Sequence, residues 1–331
     1  MKYFRMTPAD LQRFAEPNTN VTTDSGLTAE MKTYYDKTLL ETAEPNLVHN
    51  QFGVQKPIPK GNGKVIEFRC FDDLPKKTTE LVEGVTPDGK KLNVTSITAE
   101  VSQYGDYVAV SDMLNLAAID PVIAQATRKI AKQAGMTLDT LTRDVLAAGT
   151  NVQYAEGQVA SRTALTADHK LTIDAIRRAV RTLKNNNIDP YDGSYVAIIH
   201  PDVAYDLMSD PKWVNVKTYS DPEGIYRGEI GKIENVRFVE STEAKKFVSA
   251  GAESRDVYAT LVIGDGAYGV TEISGGGLQT FVKPLGSAGT ADPLDQRSTI
   301  GWKATHVAKI LDQKAMVRIE TACTFNDHVE N

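Results

Sequence analysis

Hydrophobic and polar residues alternate with a period of two near the start of the ordered pattern, which is typical of a half-buried strand. Ile66, Phe68 and Cys70 alternate with Glu67 and Arg69, so the two sets of side chains point to opposite faces. We expect Cys70, like Cys323 in a later apolar run, to be a small core residue. This pattern predicts one strand of a hairpin.

The returning strand and the turn of this hairpin follow within about thirty residues. Ile97, Ala99 and Val101 alternate with polar residues, which predicts the second strand. The segment 72–92 between them is rich in Lys, Thr and Glu and contains the turn sequence 86–89, Thr-Pro-Asp-Gly. An isolated hairpin is at best marginally stable in water. The tip therefore needs a neighbouring surface.

The longest pattern of period 3.6 predicts a helix over 120–149. Asp120 and Pro121 suit its N-cap and first turn, and Gly149 suits its C-terminal cap. A helix of this size is about 40 Å long. The residues expected on its buried face are Ile123, Ala126, Ile130, Ala134, Leu138, Leu141 and Val145.

The rest of the chain mixes helices and strands, which indicates the α+β class. Helices are predicted at 172–187 and 201–208, and the outer face of the first carries Arg177, Arg178, Arg181 and Lys184. Strands are predicted at 195–199, 236–239, 257–263, 269–273 and 280–282, with two or three more within 298–322. Residues 1–28 predict an extended arm, and 27–41 a short helix.

Composition and charge exclude several classes of protein. A chain of 331 residues is long enough for two cores. The net charge of −6, from 37 basic and 43 acidic residues, argues against a nucleic-acid binder that works through a basic patch. The N-terminal residues lack the apolar run of a signal peptide, and no window is apolar enough for a membrane span. We expect no membrane partner and at most weak, non-specific contact with DNA.

The candidate chemical motifs are weak. Residues 264–269 match the spacing G-x-G-x-x-G, but the alternating sequence after them predicts a strand where a dinucleotide site needs a helix. We interpret the glycines as a hairpin turn. Asp189 and Asp192 lie beside Pro and Gly, as in turns, and the five histidines lack metal-ligand spacing. We expect no catalytic, cofactor-binding or metal-binding residues, no cofactor and no enzymatic activity.

Two stretches resemble a known family. Residues 228–241, GEIGKIENVRFVES, and residues 292–303, DPLDQRSTIGWK, are similar to segments of the major capsid proteins of tailed bacteriophages, especially the branch of the phage N-four coat protein. Asn235 and Ser298 stand where that family often has Gly. Asn tolerates a left-handed backbone, so that change is mild, and Ser298 indicates a position that needs no positive φ.

The resemblance implies the Hong Kong-type capsid fold, which has an N-terminal arm, an extended hairpin called the E-loop, a peripheral domain with a spine helix, and an axial domain. The corresponding ranges are an N-terminal arm at 1–52, the E-loop at 53–100, the peripheral domain with its spine helix at 101–165, the axial domain at 166–283, and C-terminal strands returning to the peripheral domain at 284–331.

The implied function is self-assembly into pentamers and hexamers that form the icosahedral head shell around phage double-stranded DNA. Implied partners are other copies of the chain, scaffolding and portal proteins, and a decoration protein, with assembly in the host bacterial cytoplasm and a final place in the virion. The candidate intersubunit residues are those of the hairpin tip, Val85, Thr86, Pro87, Asp88, Gly89, Lys90 and Lys91. Two alternatives stay open: an encapsulin-like bacterial compartment shell, and an α+β enzyme.

Overall fold

The computed structural model describes residues 43, 47–71, 74–117, 122–155, 159–211, 213, 229–287, 289 and 292–331. Most of the predicted arm, and the helix predicted at 27–41, lie outside these residues. The strands are β1 Val54–Gln55, β2 Val65–Phe71, β3 Val94–Glu100, β4 Ser102–Ser111, β5 Val152–Tyr154, β6 Tyr195–Ile199, β7 Glu229–Ile233, β8 Val236–Glu240, β9 Lys246–Phe247, β10 Val257–Ile263, β11 Tyr268–Thr271, β12 Gln279–Lys283, β13 Arg297–Ile310 and β14 Met316–Thr321. The helices are α1 Asp112–Ala117, α2 Val122–Ala147, α3 Ile173–Asn185 and α4 Pro201–Met208.

A seven-stranded mixed sheet forms the centre of one half of the molecule, in the order β5-β14-β10-β6-β8-β7 with β9 beside β10. β6 and β10 are buried along their whole length, as expected for strands covered on both faces. The apolar face of α3, including Ile176 and Leu183, packs in the same core as Phe238 of β8. The basic residues of α3 lie on its outer side, where Arg177 pairs with Glu234.

A five-stranded sheet forms the centre of the other half. β13 is its longest strand and pairs antiparallel with β12 and β11 on one side and with β4 on the other, while β1 runs parallel to β11. The helix α2 packs on this sheet: Ile130 and Leu138 share a core cluster with Ile300 and Trp302 of β13. The prediction of a helix over 120–149 is thus confirmed, with observed bounds Val122–Ala147.

The predicted hairpin is present, since β2 and β3 pair antiparallel from Val65↔Glu100 to Phe71↔Val94. One detail of the prediction is wrong: Cys70 is exposed, whereas Cys323 is buried. The reason is that Cys70 lies at the distal end of β2, beyond the part that packs on the five-stranded sheet. Alternation along a strand therefore does not guarantee burial at both of its ends.

The interpretation of residues 264–269 as a hairpin turn is also wrong. The segment is a turn, with Gly266 at φ 68°, and a strand follows it as predicted. However, β10 belongs to the seven-stranded sheet and β11 to the five-stranded sheet. The chain therefore changes sheet at these glycines.

The two departures from the family's glycines have the expected backbone. Asn235 has φ 66° and forms, with Glu234 at φ 52°, the tight turn between β7 and β8. Ser298 is not among the positive-φ residues. It lies in β13 and pairs with Val110.

Candidate intersubunit surface

The tip of the β2–β3 hairpin has almost no backbone partners. Residues 74–93 form no helix or strand. Apart from regular elements, the described part of the tip has one backbone hydrogen bond, from Val85 N–H to the Val82 carbonyl at 3.1 Å. Backbone groups that stay unpaired in a subunit must be satisfied by water or by another surface.

The tip also exposes apolar side chains. Leu74, Leu81, Val82, Val85 and Leu92 have between 51 and 73% of their surface accessible. All seven predicted intersubunit residues, Val85 to Lys91, are exposed as well. The sequence reasoning stressed the charged residues of this segment and gave too little weight to its exposed leucines and valines. Together they form a surface that gains free energy when it is covered.

The base of the hairpin is firmly attached to the five-stranded sheet. Phe68 and Ala99 share a core cluster with Ile58, and Val307 and Leu311 pack against it. Gly269 of β11 permits this packing, because a Cβ atom at that position would lie 2.8 Å from the Phe68 ring. The last glycine of the G-x-G-x-x-G spacing thus makes room for an aromatic ring.

The helix α2 is held by buried polar contacts that its apolar pattern did not indicate. Asp139 accepts a hydrogen bond from His49 N–H and contacts His49 Nδ1, both at 2.6 Å, and both side chains are fully buried. One turn further, Thr142 Oγ1 lies 2.9 Å from His306 Nε2 of β13. Burial lowers the pKa of His306 to about 4. These contacts fix α2 to both the segment that follows the arm and the five-stranded sheet.

The C-terminal end of α2 is capped by the other sheet. The guanidinium of Arg318 in β14 donates to the carbonyls of Ala147 and Gly149, which places a positive charge at the negative end of the helix dipole. Arg318 also pairs with the buried Glu320 at 2.8 Å, and Glu320 accepts two further bonds of 2.7 Å from Arg162. The helix therefore ties the two sheets together.

The last residues of the sequence are bound to loops of the seven-stranded half. Lys246 pairs with Asp256 at 3.3 Å and also with Asp327. Burial lowers the pKa of Lys246, but the bonds to Asp327 and Asp256 outweigh this effect and raise it. The Asn331 amide donates to the Ala244 carbonyl at 2.6 Å, and Arg143 of α2 donates to the Glu243 carbonyl at 2.9 Å.

The other candidate residues have structural contacts. His200 caps α4 by accepting from Asp202 N–H at 3.2 Å, and His169 accepts from Thr166 N–H at 2.9 Å. Asp192 occupies a left-handed turn position with φ 47°. No group of ligand-type side chains suited to a metal ion occurs in the described ranges. None of the helices described above combines the length and apolarity needed to cross a membrane.

Solved structures with this arrangement of elements are phage capsids. The capsid of Cyanophage Pam1 superposes with a TM-score of 0.66 over 86% of this chain and 92% of that chain, at 15% identity. The capsid of Ralstonia phage GP4 gives 0.65 over 84 and 89% at 16% identity, and the capsid of Cyanophage P-SCSP1u gives 0.64 over 84 and 88% at 15% identity. These likenesses show that the chain has the Hong Kong-type capsid fold.

No curated protein matches the sequence significantly. A family profile described as "Phage capsid protein" does match, over residues 94–319. The matched region begins in the second strand of the hairpin and ends in β14, so it includes α2 and both sheets. Since it covers more than half of the sequence, the chain belongs to the phage capsid protein family.

Proposed function

We propose that the chain assembles into pentamers and hexamers, and that these close into an icosahedral head shell around double-stranded DNA. Membership of the phage capsid family and the Hong Kong-type fold make it a major capsid protein whose place is the virion capsid. The proposal adds the form of the assembly and its contents. It also includes assembly in the host cytoplasm, a link to the phage N-four branch, and scaffolding, portal and decoration proteins as partners.

The observation that carries the proposal is the hairpin tip. It exposes apolar side chains and unpaired backbone on an arm whose base is rigidly packed. An arm that projects from one side of a subunit contacts a different surface on its neighbour, so the interface is heterologous, and such interfaces form closed rings. We therefore assign residues 85–91 to the contact between subunits.

The proposed domains follow from the same reasoning. The arm is 1–52, the E-loop 53–100, the peripheral domain 101–165, the axial domain 166–283, and the returning strands 284–331. The returning strand β13 supports this division because it pairs with β4 and packs on α2. The subunit then acts by binding copies of itself, and we propose no catalytic role for it.

Electron microscopy and light scattering of the purified protein, with a scaffolding protein supplied, test the proposal. We expect closed particles with five- and six-fold capsomers. Stable monomers or dimers under all salt conditions would contradict it. Particles isolated from infected cells should contain double-stranded DNA; a protein cargo would instead favour a bacterial compartment shell.

A further inference from the structure

The strand β4 forms an open edge of the five-stranded sheet. It runs for ten residues and pairs only with β13 among the strands described. α2 packs near one of its faces, where Gln133 donates to Asp106 at 2.7 Å. Within the described ranges, no strand lies along its other edge.

The direction of the free backbone groups follows from two hydrogen bonds. Asp112 N–H donates to the Gln296 carbonyl at 3.0 Å, continuing the register Ser111↔Arg297. Because hydrogen-bonded and non-bonded pairs alternate in an antiparallel ladder, the even-numbered residues of β4 point their backbone groups at β13. The odd-numbered residues point theirs outward. In agreement, Tyr107 N–H is bonded at 2.8 Å to the side chain of Asp106 instead of to β13.

This edge lacks the usual protection against pairing with another chain. Edge strands in soluble proteins are blunted by Lys, Pro, bulges or short length. β12 follows that rule: it has five residues, ends in Lys283 and precedes Pro284. β4 has ten residues without Lys, Arg or Pro, and its single charged residue, Asp106, is already bonded. An unprotected edge repeated on every subunit requires a partner that is equally abundant.

The hairpin tip contains a segment that fits this edge. Residues 78–82, Thr-Thr-Glu-Leu-Val, have high β-propensity and contain neither Pro nor Gly. They are exposed and stand outside any strand. The other limb of the tip is less suitable, because Pro87 cannot donate to a ladder and Lys90 and Lys91 protect it.

The side chains on both sides are complementary as well. The outward face beside Gly105 and Gly301 is an open groove of about 590 Å³ lined by Tyr107 and Phe281, which suits the exposed Leu81. With a period of two, Glu80 then points to the opposite face of the sheet. That face carries α2, whose Lys129 and Lys132 are exposed next to Gln133.

We propose that residues 78–82 of a neighbouring copy pair with the free edge of β4 and extend the five-stranded sheet across the subunit boundary. This inference rests on the proposed assembly and names the surface that receives the hairpin tip. Backbone bonds supply the affinity of such strand addition, and the groove supplies its register.

Hydrogen–deuterium exchange on wild-type particles, compared with dissociated subunits, tests the pairing. We expect exchange to slow at least tenfold on assembly both at the odd-numbered amides of β4 and at residues 78–82. Protection of β4 without protection of 78–82 would mean that another segment or protein covers the edge, and would overturn the inference. Closed particles in which β4 exchanges as fast as in free subunits would overturn it while leaving the proposed function intact. Failure of the wild-type chain to form particles would contradict the proposed function itself.

A pair of variants at one position provides the control. Ala109→Pro removes an outward N–H without removing a bond to β13, whereas Ala109→Thr keeps the N–H and a residue suited to strands. Both variants should melt like the wild-type subunit. The yield of particles should fall at least tenfold for Ala109→Pro only. Normal particles from Ala109→Pro, with residues 78–82 still protected, would refute the pairing; if that variant does not fold, the exchange experiment decides alone.

Discussion

Leu138 of α2 provides a quantitative test of how the helix is held, because the neighbouring Leu141 serves as its control. Leu138 is only 6% exposed and lies in one core cluster with Ile130, Ala134 and Trp302. Leu141 packs against the same cluster but is only partly buried. The sequence pattern alone assigns both leucines the same role and a cost of roughly 2–5 kcal/mol on truncation. The structure separates them.

The magnitude for Leu138→Ala follows from the groups that are lost. About three carbon groups leave the core, at about 0.8 kcal/mol each, which amounts to about 2.4 kcal/mol. The rigid sheet beneath cannot collapse fully, so a cavity adds to this loss and the total should be roughly 3–5 kcal/mol. For Leu141→Ala, the partly exposed side chain should lose about half the transfer contribution, roughly 1–2 kcal/mol.

Urea unfolding of the unassembled subunit, followed by far-UV circular dichroism, measures both values. The midpoint should shift more for Leu138→Ala than for Leu141→Ala, with unchanged m-values. Equal losses for the two variants would refute the assignment of the buried face. An unchanged midpoint for Leu138→Ala would show that the contact of α2 with β13 does not stabilise the subunit.

Three other predictions concern the hairpin, the glycine turn and a buried histidine. Replacement of residues 85–91 by a short Gly-Ser link should leave subunit melting unchanged and abolish or weaken shells in electron microscopy; unfolding of the shortened subunit would place the segment in the core, and normal shells would remove it from the interface. Calorimetric titration with NAD, FAD or ATP should show no saturable binding, because β11 follows the turn where a helix is needed; micromolar binding that Gly266→Ala abolishes would contradict this. Since burial lowers the pKa of His306 to about 4 from 6.5, the folded state takes up its proton later than the unfolded state, so stability should fall by up to roughly 3 kcal/mol as the pH drops from 6.5 to 4. His306→Gln should reduce that slope, and an identical slope in urea titrations of both proteins would show that His306 is not responsible.

The elements with long, regular patterns were predictable from the sequence. α2 begins and ends within two residues of the expected bounds, because its apolar positions recur over seven turns. β6 and β10 were equally clear as short, continuous apolar runs. The location of the hairpin followed from alternation and from the turn sequence at 86–89.

The polar core of α2 could not be predicted in the same way. Asp139 and Thr142 read as outward-facing residues in a local pattern, yet they are buried because His49 and His306 meet them from positions 90 and 164 residues away. The burial of a polar residue depends on partners that only the fold brings close. The exposure of Cys70 has a similar cause, since it depends on how far the five-stranded sheet extends beneath β2. For the candidate surface, composition indicated a solvated tip, and only the structure reveals its exposed apolar side chains.

The change of sheet at residues 264–267 has a mechanical consequence for the subunit. A second crossing, from β13 to β14 at residues 311–315, lies directly beside it: Leu311 N–H donates to the Ala267 carbonyl at 2.9 Å, and Gly264 N–H donates to the Ala315 carbonyl at 2.8 Å. Two hydrogen-bonded connections at one point act like a hinge with a short pin. Sliding of one sheet past the other would break both bonds, whereas a small change in the angle between the sheets would preserve them. A load applied to one half of the subunit is therefore transmitted to the other as bending about this point and not as shear.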